Sequence, residues 1–242
     1  MIEAVRVLAA GSLRHAMPEI ADAFEKASGI AVSLTLGPAG LLRERIEAGE
    51  PFDLFASANM AHPGRLVSLG LAEGAVCFIR NRLCVLARAD LGVTTENLVE
   101  VLASPTVRIG TSTPGDDPSG DYAFEMFDLV EAQHPGLGVT IKQRARQLVG
   151  GRNSPPGRNA AGLIDDGAVD LFLGYASNAR FHEGDPKFSV IELPPKLSPR
   201  VEYGMALRRA APEAACRLRD SLLSQHGQGV LGAKGFQQVL QG

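Results

Sequence analysis

The stretch that decides the fold runs Val5-Arg6-Val7-Leu8-Ala9-Ala10-Gly11-Ser12, near the start of the chain. Its first six residues are mostly aliphatic and predict a short buried strand, which Gly11 ends. Apolar residues then recur at helical spacing, and Gly29 predicts the end of that helix. Pro18 should kink this pattern or end a first turn. A buried strand that leads directly into a helix is the beginning of an α/β unit.

The same alternation continues along the chain and predicts two units of similar size. Strands are predicted at 30–36 and 52–56 with a helix at 41–48 between them, and a second series begins with a strand at 107–110. Short connections of this kind favour, in each unit, a mostly parallel sheet flanked by helices. The other predicted helices are 61–70, 122–132, 160–166, 211–225 and 227–234. The other predicted strands lie at 78–87 (two strands around Asn81-Arg82), 171–175, 190–193 and 203–207, and 143–159 is predicted to be loop.

The last predicted strand and the last two predicted helices are not needed to complete the second unit. The simplest arrangement assigns them to the first unit. We therefore expect lobe one to comprise residues 1–81 and 201–242, and lobe two to comprise residues 82–200. Crossing segments that act as hinges are expected near 80–85 and 195–202.

Composition narrows the function classes. The chain has 242 residues and a formal net charge of −3, whereas a nucleic-acid binder usually has a basic footprint. No apolar run approaches the roughly 20 residues that span a bilayer. The N-terminus lacks the features of a secretory signal peptide. Either the protein is cytoplasmic, or a signal was removed and Met1 was added.

The cysteines predict neither a metal site nor a disulfide framework. Cys77, Cys84 and Cys216 form an odd set without CxxC spacing or a His cluster. Buried, inert thiols are the simplest interpretation, although a Cys77–Cys84 bridge across a hairpin is possible. We expect no metal cation and no cofactor.

The 27 glycines and 15 prolines gain meaning from their positions. Four small or turn-forming stretches precede predicted helices: Gly11-Ser12, Gly37-Pro38-Ala39-Gly40, Pro118-Ser119-Gly120 and Pro155-Pro156-Gly157. Helix N-termini present unpaired N–H groups and the positive end of the helix dipole, where an anion can bind. Such residues also cap helices that bind nothing. All four are expected outside the carboxyl ends of strands, where open α/β sheets bind ligands. A joint anion site between the lobes is the resulting hypothesis.

Several motifs carry a specific resemblance over residues 4 to 236. They are Val7-Leu8-Ala9-Ala10-Gly11-Ser12-Leu13-Arg14-His15-Ala16-Met17, Arg45-Ile46-Glu47-Ala48-Gly49, Asp53-Leu54-Phe55-Ala56-Ser57-Ala58, Pro118-Ser119-Gly120-Asp121-Tyr122-Ala123 and Gly174-Tyr175-Ala176-Ser177. The chain resembles the periplasmic molybdate- and tungstate-binding proteins of ABC transporters, within the type II solute-binding fold. The resemblance implies a two-lobed α/β protein with a ligand cleft between the lobes. It also implies a monomeric, periplasmic or extracellular carrier that delivers its anion to a membrane permease.

The resemblance also implies the site residues, because this family holds a tetrahedral oxyanion with hydroxyls and backbone N–H groups and without a cationic side chain. It implies Ser12 as a hydroxyl and N–H donor, Ser119 as an N–H donor and Tyr175 as a phenol donor. The loop before Ala160 should supply a further N–H, and Gly157 is the best register.

One position departs from the family pattern. Ala39 stands where the family usually has a second serine, although the N–H groups of Ala39 and Gly40 can still donate. One hydrogen bond to a charged ligand is typically worth about 1.5–3 kcal/mol. Its loss weakens binding by about one to two powers of ten, unless another donor replaces it.

Two sets of charged residues bear on whether the ligand is an anion other than molybdate or tungstate. If one of the arginines between 144 and 158 points into the site, the ligand is a different anion, whereas a solvated basic loop is the simpler interpretation. A protonated anion such as hydrogen phosphate would require a carboxylate acceptor, and four aspartates are tested against that requirement. The arginines are Arg144, Arg146, Arg152 and Arg158, and the aspartates are Asp53, Asp116, Asp117 and Asp121.

Three rival functions follow. A hydrolase would pair Ser12 with His15, with Asp53 as orienter, but the chain has no G-x-S-x-G elbow. Residues 150–159 lack the G-K-[ST] ending of a phosphate loop, so we expect no enzyme. The others are a carrier for sulfate, thiosulfate, phosphate or an organic anion, and a cytoplasmic sensor module.

Overall fold

The computed structural model of the protein describes residues 3–155 and 157–239. Met1 and Pro156, on which two of the expectations above fall, lie outside the described residues. The strands are β1 Val5–Ala10, β2 Val32–Gly37, β3 Leu54–Ser57, β4 Ala72–Asn81, β5 Leu83–Arg88, β6 Ile109–Ser112, β7 Arg146–Val149, β8 Leu171–Tyr175, β9 Phe188–Glu192 and β10 Val201–Arg208. The helices are α1 Met17–Ser28, α2 Ala39–Glu47, α3 Ala61–Ser68, α4 Leu98–Ala103, α5 Pro118–Gln133, α6 Leu137–Arg144, α7 Ala160–Asp165, α8 Ala176–Ala179, α9 Glu213–Leu223 and α10 Gln225–Ala233.

The chain divides into two compact units. The first runs up to Asn81 and resumes at Val201, and the second spans Arg82–Arg200. The first contains a five-stranded sheet in the order β2-β1-β3-β10-β4, and the second contains a five-stranded sheet in the order β7-β6-β8-β5-β9. Helices flank both sheets, which confirms the α/β fold class.

Each sheet contains one reversed strand. In the first, β1 is parallel to β2 and β3, while β10 is antiparallel to both of its neighbours, β3 and β4. In the second, β6 is parallel to β7 and β8, while β5 is antiparallel to β8 and β9. Four of the five strands in each sheet therefore run the same way, and the mostly parallel sheet is confirmed.

A buried aspartate braces the same corner of each sheet. Asp53, directly before β3, binds the side chains of Arg6 in β1 and Arg208 in β10. Asp170, directly before β8, binds Arg108 next to β6 and forms an ion pair with Arg88 in β5. The same tripeptide, Asp-Leu-Phe, begins at Asp53 and at Asp170 in the sequence.

The core is built from the strands and the apolar faces of the helices that cover them. Leu13, Met17 and Ile20 are fully buried, as the helical spacing predicts. Pro18 lies in the first turn of α1 and follows a separate 3-10 turn at Gly11–Leu13. The proline therefore stands at the start of the helix, where its missing N–H costs no hydrogen bond.

The sequence prediction missed four elements. The segment predicted as loop contains β7, and the helices α4, α6 and α8 were not predicted. The two strands around Asn81-Arg82 exist, but they belong to different sheets and form no hairpin.

Cys77 and Cys84 lie one in each of these strands, and both are free thiols, as is Cys216. Among the described residues, no helix is long and apolar enough to span a membrane.

Candidate functional site

The carboxyl ends of three parallel strands meet at one edge of the first sheet. Ala10 at the end of β1 pairs with Gly37 at the end of β2, and Ala9 pairs with Ala56 in β3. The turns that follow these strands therefore lie side by side. This register brings Ser12 and the start of α2 to the same edge, where open α/β sheets bind ligands.

Ser12 lies in the 3-10 turn Gly11–Leu13, so it opens a tight turn, and α1 itself begins only at Met17. The side chain is half-buried. The hydroxyl of Tyr203 donates a 2.8 Å hydrogen bond to Ser12 Oγ. Asn81 Nδ2 in turn donates a 3.2 Å bond to the Tyr203 hydroxyl.

Sequence reasoning missed Tyr203 as a neighbour of Ser12. Tyr203 lies in β10, 191 positions further along the chain, and reaches the first sheet only because β10 inserts between β3 and β4. The sequence signal that could have drawn attention to Tyr203 is that tyrosine is rare in this chain, which contains three.

The turn after β2 presents backbone N–H groups. α2 begins at Ala39, and its N-cap residue Pro38 makes no side-chain cap. The first N–H groups of a helix have no acceptor within the helix, so those of Ala39 and Gly40 suit an anion. A side chain on Gly11 would place its Cβ 3.7 Å from the Gly37 carbonyl oxygen, so this turn and the Ser12 turn lie in contact.

In the second unit, Asp117 occupies the start of α5. Asp117 is the N-cap, and its Oδ1 accepts a 3.1 Å bond from the Ser119 N–H. The donor implied at Ser119 therefore has an acceptor within the protein. Burial raises the pKa of the Asp117 carboxyl to about 6, although hydrogen bonds from Ser119 and Ser112 act in the opposite direction.

The loops around this helix start are closely fitted. A Cβ on Gly120 would lie 2.6 Å from Pro114 N, and a Cβ on Gly150 would lie 2.3 Å from Asp117 Oδ2. The N–H of Thr113 donates to Val149 O at 2.9 Å, which ties the loop after β6 to the end of β7. Glycine is thus required where backbone and carboxylate approach each other.

Tyr175 is the last residue of β8, and 3% of its surface is exposed. Its ring packs edge-on against Tyr122 of α5, with 6.4 Å between ring centroids. Because β8 runs parallel to β6, its carboxyl end lies at the same edge of the second sheet as the loop that leads into α5. The structure therefore brings Tyr175 and Ser119 to one edge of this sheet.

Gly157 is further from a helix start than expected. It is exposed with a φ of 78°, while α7 begins only at Ala160. Asn159 caps that helix by accepting a 2.9 Å bond from the Gly162 N–H. Gly157 therefore forms a turn ahead of the helix, and the first N–H groups of the helix belong to Ala160 and Ala161.

The four arginines of the segment 144–158 all bind within the protein. Arg144 donates to the backbone carbonyls of Leu102, Ser104 and Val107, and Arg146 donates to that of Ala168. The other two form ion pairs, Arg152 with Asp116 at 2.8 Å and Arg158 with Asp166 at 3.1 Å. These contacts give each guanidinium a structural role.

The candidate carboxylate acceptors are likewise engaged. The hydrogen bond from Arg152 lowers the pKa of Asp116 and outweighs its burial. Asp121 Oδ1 accepts a 2.7 Å bond from the Gly115 N–H. Asp53 directly precedes β3 and braces the sheet between Arg6 and Arg208.

The imagined hydrolase triad is not assembled. Asp53 N donates to the Arg6 carbonyl, so Asp53 lies level with the start of β1. Ser12 lies beyond the other end of that strand. At about 3.3 Å per residue, the four steps along β1 from Arg6 to Ala10 alone separate the two groups by roughly 13 Å. In addition, His15 is exposed.

No group of three or more His, Cys, Asp or Glu side chains in the described part of the chain could hold a metal ion. The side chains at the two sheet edges are instead hydroxyls, beside helix N-termini. Such groups can bind an anion by donating hydrogen bonds, and neutral donors suit an anion whose oxygens all accept.

Comparison with known proteins gives a consistent result. The family model of bacterial extracellular solute-binding proteins matches residues 5–237. An uncharacterised protein of Pasteurella multocida is 40% identical over 225 residues, which cover 90% of this chain and 92% of that protein. A molybdate-binding protein of Escherichia coli is 27% identical over 211 residues, covering 84% of this chain and 76% of that protein.

Solved structures share the fold. The periplasmic molybdate-binding protein of Azotobacter vinelandii superposes with a TM-score of 0.78 at 22% identity, covering 98% of this chain and all of that one. The sulfate-binding protein of Mycobacterium tuberculosis gives a TM-score of 0.80 at 16% identity, covering 99% of this chain and 88% of that one. Because the family model matches residues 5–237, the protein belongs to the family of bacterial extracellular solute-binding proteins.

Proposed function

We propose that the protein captures a tetrahedral oxyanion, molybdate or tungstate, outside the cytoplasm and delivers it to the permease of an ABC transporter. The observation that carries this proposal is the edge of the first sheet, where the Ser12 hydroxyl lies beside the start of α2. The relative from Escherichia coli, named for molybdate binding, is similar over 84% of the chain.

Six residues are proposed as anion donors, and each lies near a sheet edge of its own unit. From the first unit come the Ser12 hydroxyl and N–H and the N–H groups of Ala39 and Gly40. From the second come Tyr175, Ser119 and the loop at Gly157. In the second unit, the Ser119 N–H already donates to Asp117 Oδ1, so Tyr175 and the loop at Gly157 are the donors expected to contribute most.

The chemistry of the donors supports a fully ionised anion. Each oxygen of molybdate accepts hydrogen bonds and needs no acceptor from the protein. Hydrogen phosphate carries a proton that does need one, and Asp53, Asp116, Asp117 and Asp121 each already accept a hydrogen bond from an arginine or a backbone N–H group. A ligand that binds one conformation of the protein better than another shifts the population toward that conformation.

A thermal-shift panel tests this proposal. The purified protein is heated with molybdate, tungstate, sulfate or phosphate, each at millimolar concentration and constant ionic strength. Molybdate and tungstate should raise the unfolding midpoint by several degrees, since a ligand at 100 times its Kd stabilises by about 2.7 kcal/mol. A shift with sulfate alone would replace the proposed ligand. No shift with any of the four anions would overturn the oxyanion carrier.

A further inference from the structure

We propose that Tyr203 is a positioning residue that makes the Ser12 hydroxyl a donor toward the bound anion. This inference rests on the proposed function and extends it to a residue that touches no ligand. It concerns the first unit alone, where Asn81, Tyr203 and Ser12 form a continuous chain of hydrogen bonds.

The direction of that chain follows from its two hydrogen bonds taken together. An amide nitrogen can only donate, so Asn81 Nδ2 donates to the Tyr203 oxygen at 3.2 Å. The single phenol proton is then directed to Ser12 Oγ at 2.8 Å. Ser12 accepts this bond, and its own proton is left to point elsewhere. At the carboxyl edge of the first sheet, the Ser12 hydroxyl can donate that proton in a hydrogen bond to the bound anion.

The arrangement is held in place before any ligand arrives. Tyr203 is fully buried, and 4% of Asn81 is exposed. The Tyr203 ring packs edge-on against Phe78 and Phe236, with centroid distances of 6.4 Å and 5.4 Å. A hydroxyl whose orientation is fixed in this way loses little entropy when it binds.

Selectivity is the functional consequence. Because Tyr203 occupies one of the two lone pairs of Ser12 Oγ, Ser12 keeps its proton to donate and has only one lone pair left with which to accept. A fully ionised oxyanion gains a hydrogen bond from such a group. An anion that presents an O–H to the same position gains less, so the relay favours molybdate over hydrogen phosphate.

A double-mutant cycle tests the relay. Tyr203→Phe, Ser12→Ala and the double variant are titrated with molybdate and with phosphate, and the unfolding midpoint of each variant is measured. Phenylalanine preserves the ring packing. We expect Tyr203→Phe to weaken molybdate binding about tenfold in the native background and less than twofold in the Ser12→Ala background, since its effect passes through Ser12. The ratio of molybdate to phosphate affinity should also fall, a change that a merely structural role would not produce.

A second variant keeps the test possible if the first one fails to fold. If Tyr203→Phe does not fold, Asn81→Ala enters the same cycle, and a roughly threefold weakening that disappears with Ser12→Ala is expected. Equal weakening in both backgrounds, or an unchanged molybdate-to-phosphate ratio, would overturn the relay while leaving the carrier intact. Failure of the native protein to bind any of the anions would instead overturn the proposed function, and the relay with it.

Discussion

The Asp170 carboxylate accepts hydrogen bonds from both the backbone and the side chain of Arg108. Oδ2 lies 2.8 Å from the Arg108 N–H, and Oδ1 lies 2.7 Å from Nη2. This pair joins β8 to β6 at the edge of the second sheet opposite Tyr175. It corresponds to the Asp53–Arg6 pair of the first unit, so each sheet is closed at the same corner by a charged clamp.

The clamp predicts an acid-sensitive stability. The hydrogen bond from Arg108 is the main reason why the pKa of Asp170 falls to about 2. A depressed carboxyl pKa stabilises the fold above its unfolded value, near 3.9, and that contribution is lost as the pH falls from about 4 to about 2. Asp170→Asn should therefore reduce the free energy of unfolding by on the order of 2 kcal/mol at pH 7.

Urea unfolding at several pH values checks this expectation. The deficit of Asp170→Asn should shrink below pH 4, where the native carboxylate also becomes neutral. Asp166→Asn is the matched control, because Asp166 forms an exposed pair with Arg158 and such pairs contribute little. A deficit no larger than that of the control would contradict the clamp.

Asp117 predicts the opposite pH dependence. Its pKa is raised to about 6 by burial, so the folded protein binds an extra proton between about pH 4 and pH 6, and the ionised carboxylate lowers the free energy of unfolding above that range. Asp117→Asn keeps an acceptor for the Ser119 N–H without the charge. The stability of the variant relative to the native protein should rise by on the order of 2 kcal/mol from pH 4 to pH 7. A difference that stays constant with pH would show that the charge carries no such penalty.

Ala39→Ser should tighten anion binding. Ala39 is the first residue of α2, at the edge where the Ser12 turn lies, and the resemblance implies that a hydroxyl belongs there. A new hydrogen bond to a charged ligand is worth up to about 1.5–3 kcal/mol, so an increase of about tenfold in molybdate affinity is expected. Ser33→Ala, on an exposed position of β2, serves as a distant control. Affinity that is unchanged or weaker in Ala39→Ser would place the anion away from α2.

Tyr175→Phe should weaken molybdate binding by about ten- to a hundredfold, because it removes one donor to a charged ligand. The ring packing against Tyr122 is preserved, so the unfolding midpoint should change little. Isothermal titration measures the affinity, and calorimetric scanning measures the stability. Native affinity in this variant would remove Tyr175 from the site.

Much of the fold could be predicted from local patterns. The buried strand at Val5–Ala10, the helix after it and the turn at Gly37 depend on neighbouring residues, and hydrophobic spacing records them. The short strand β7 escaped because two of its four residues are exposed and it is bounded by polar and glycine residues. Strand pairing across long separations leaves no local signal.

The candidate site shows the same limit. The stretches that contain Ser12 and Ala39 were predicted as anion sites because each follows a strand and precedes a helix, and the resemblance implied the donor roles. The Tyr203 contact to Ser12 was not, since it depends on β10 returning between β3 and β4. The engagement of Ser119 by Asp117 could have been foreseen, because Asp is a preferred N-cap and lies immediately before Pro118.

The most direct test of the oxyanion carrier is an isothermal titration of the native protein with molybdate, alongside Ser12→Ala and Ser68→Ala. Ser68 is a fitting control, because its hydroxyl donates to the Arg65 carbonyl at an exposed helix end. We predict saturable binding of one molybdate per chain, unchanged in Ser68→Ala and about ten- to a hundredfold weaker in Ser12→Ala. Absence of molybdate binding, or equal affinity in Ser12→Ala and the native protein, would contradict the account.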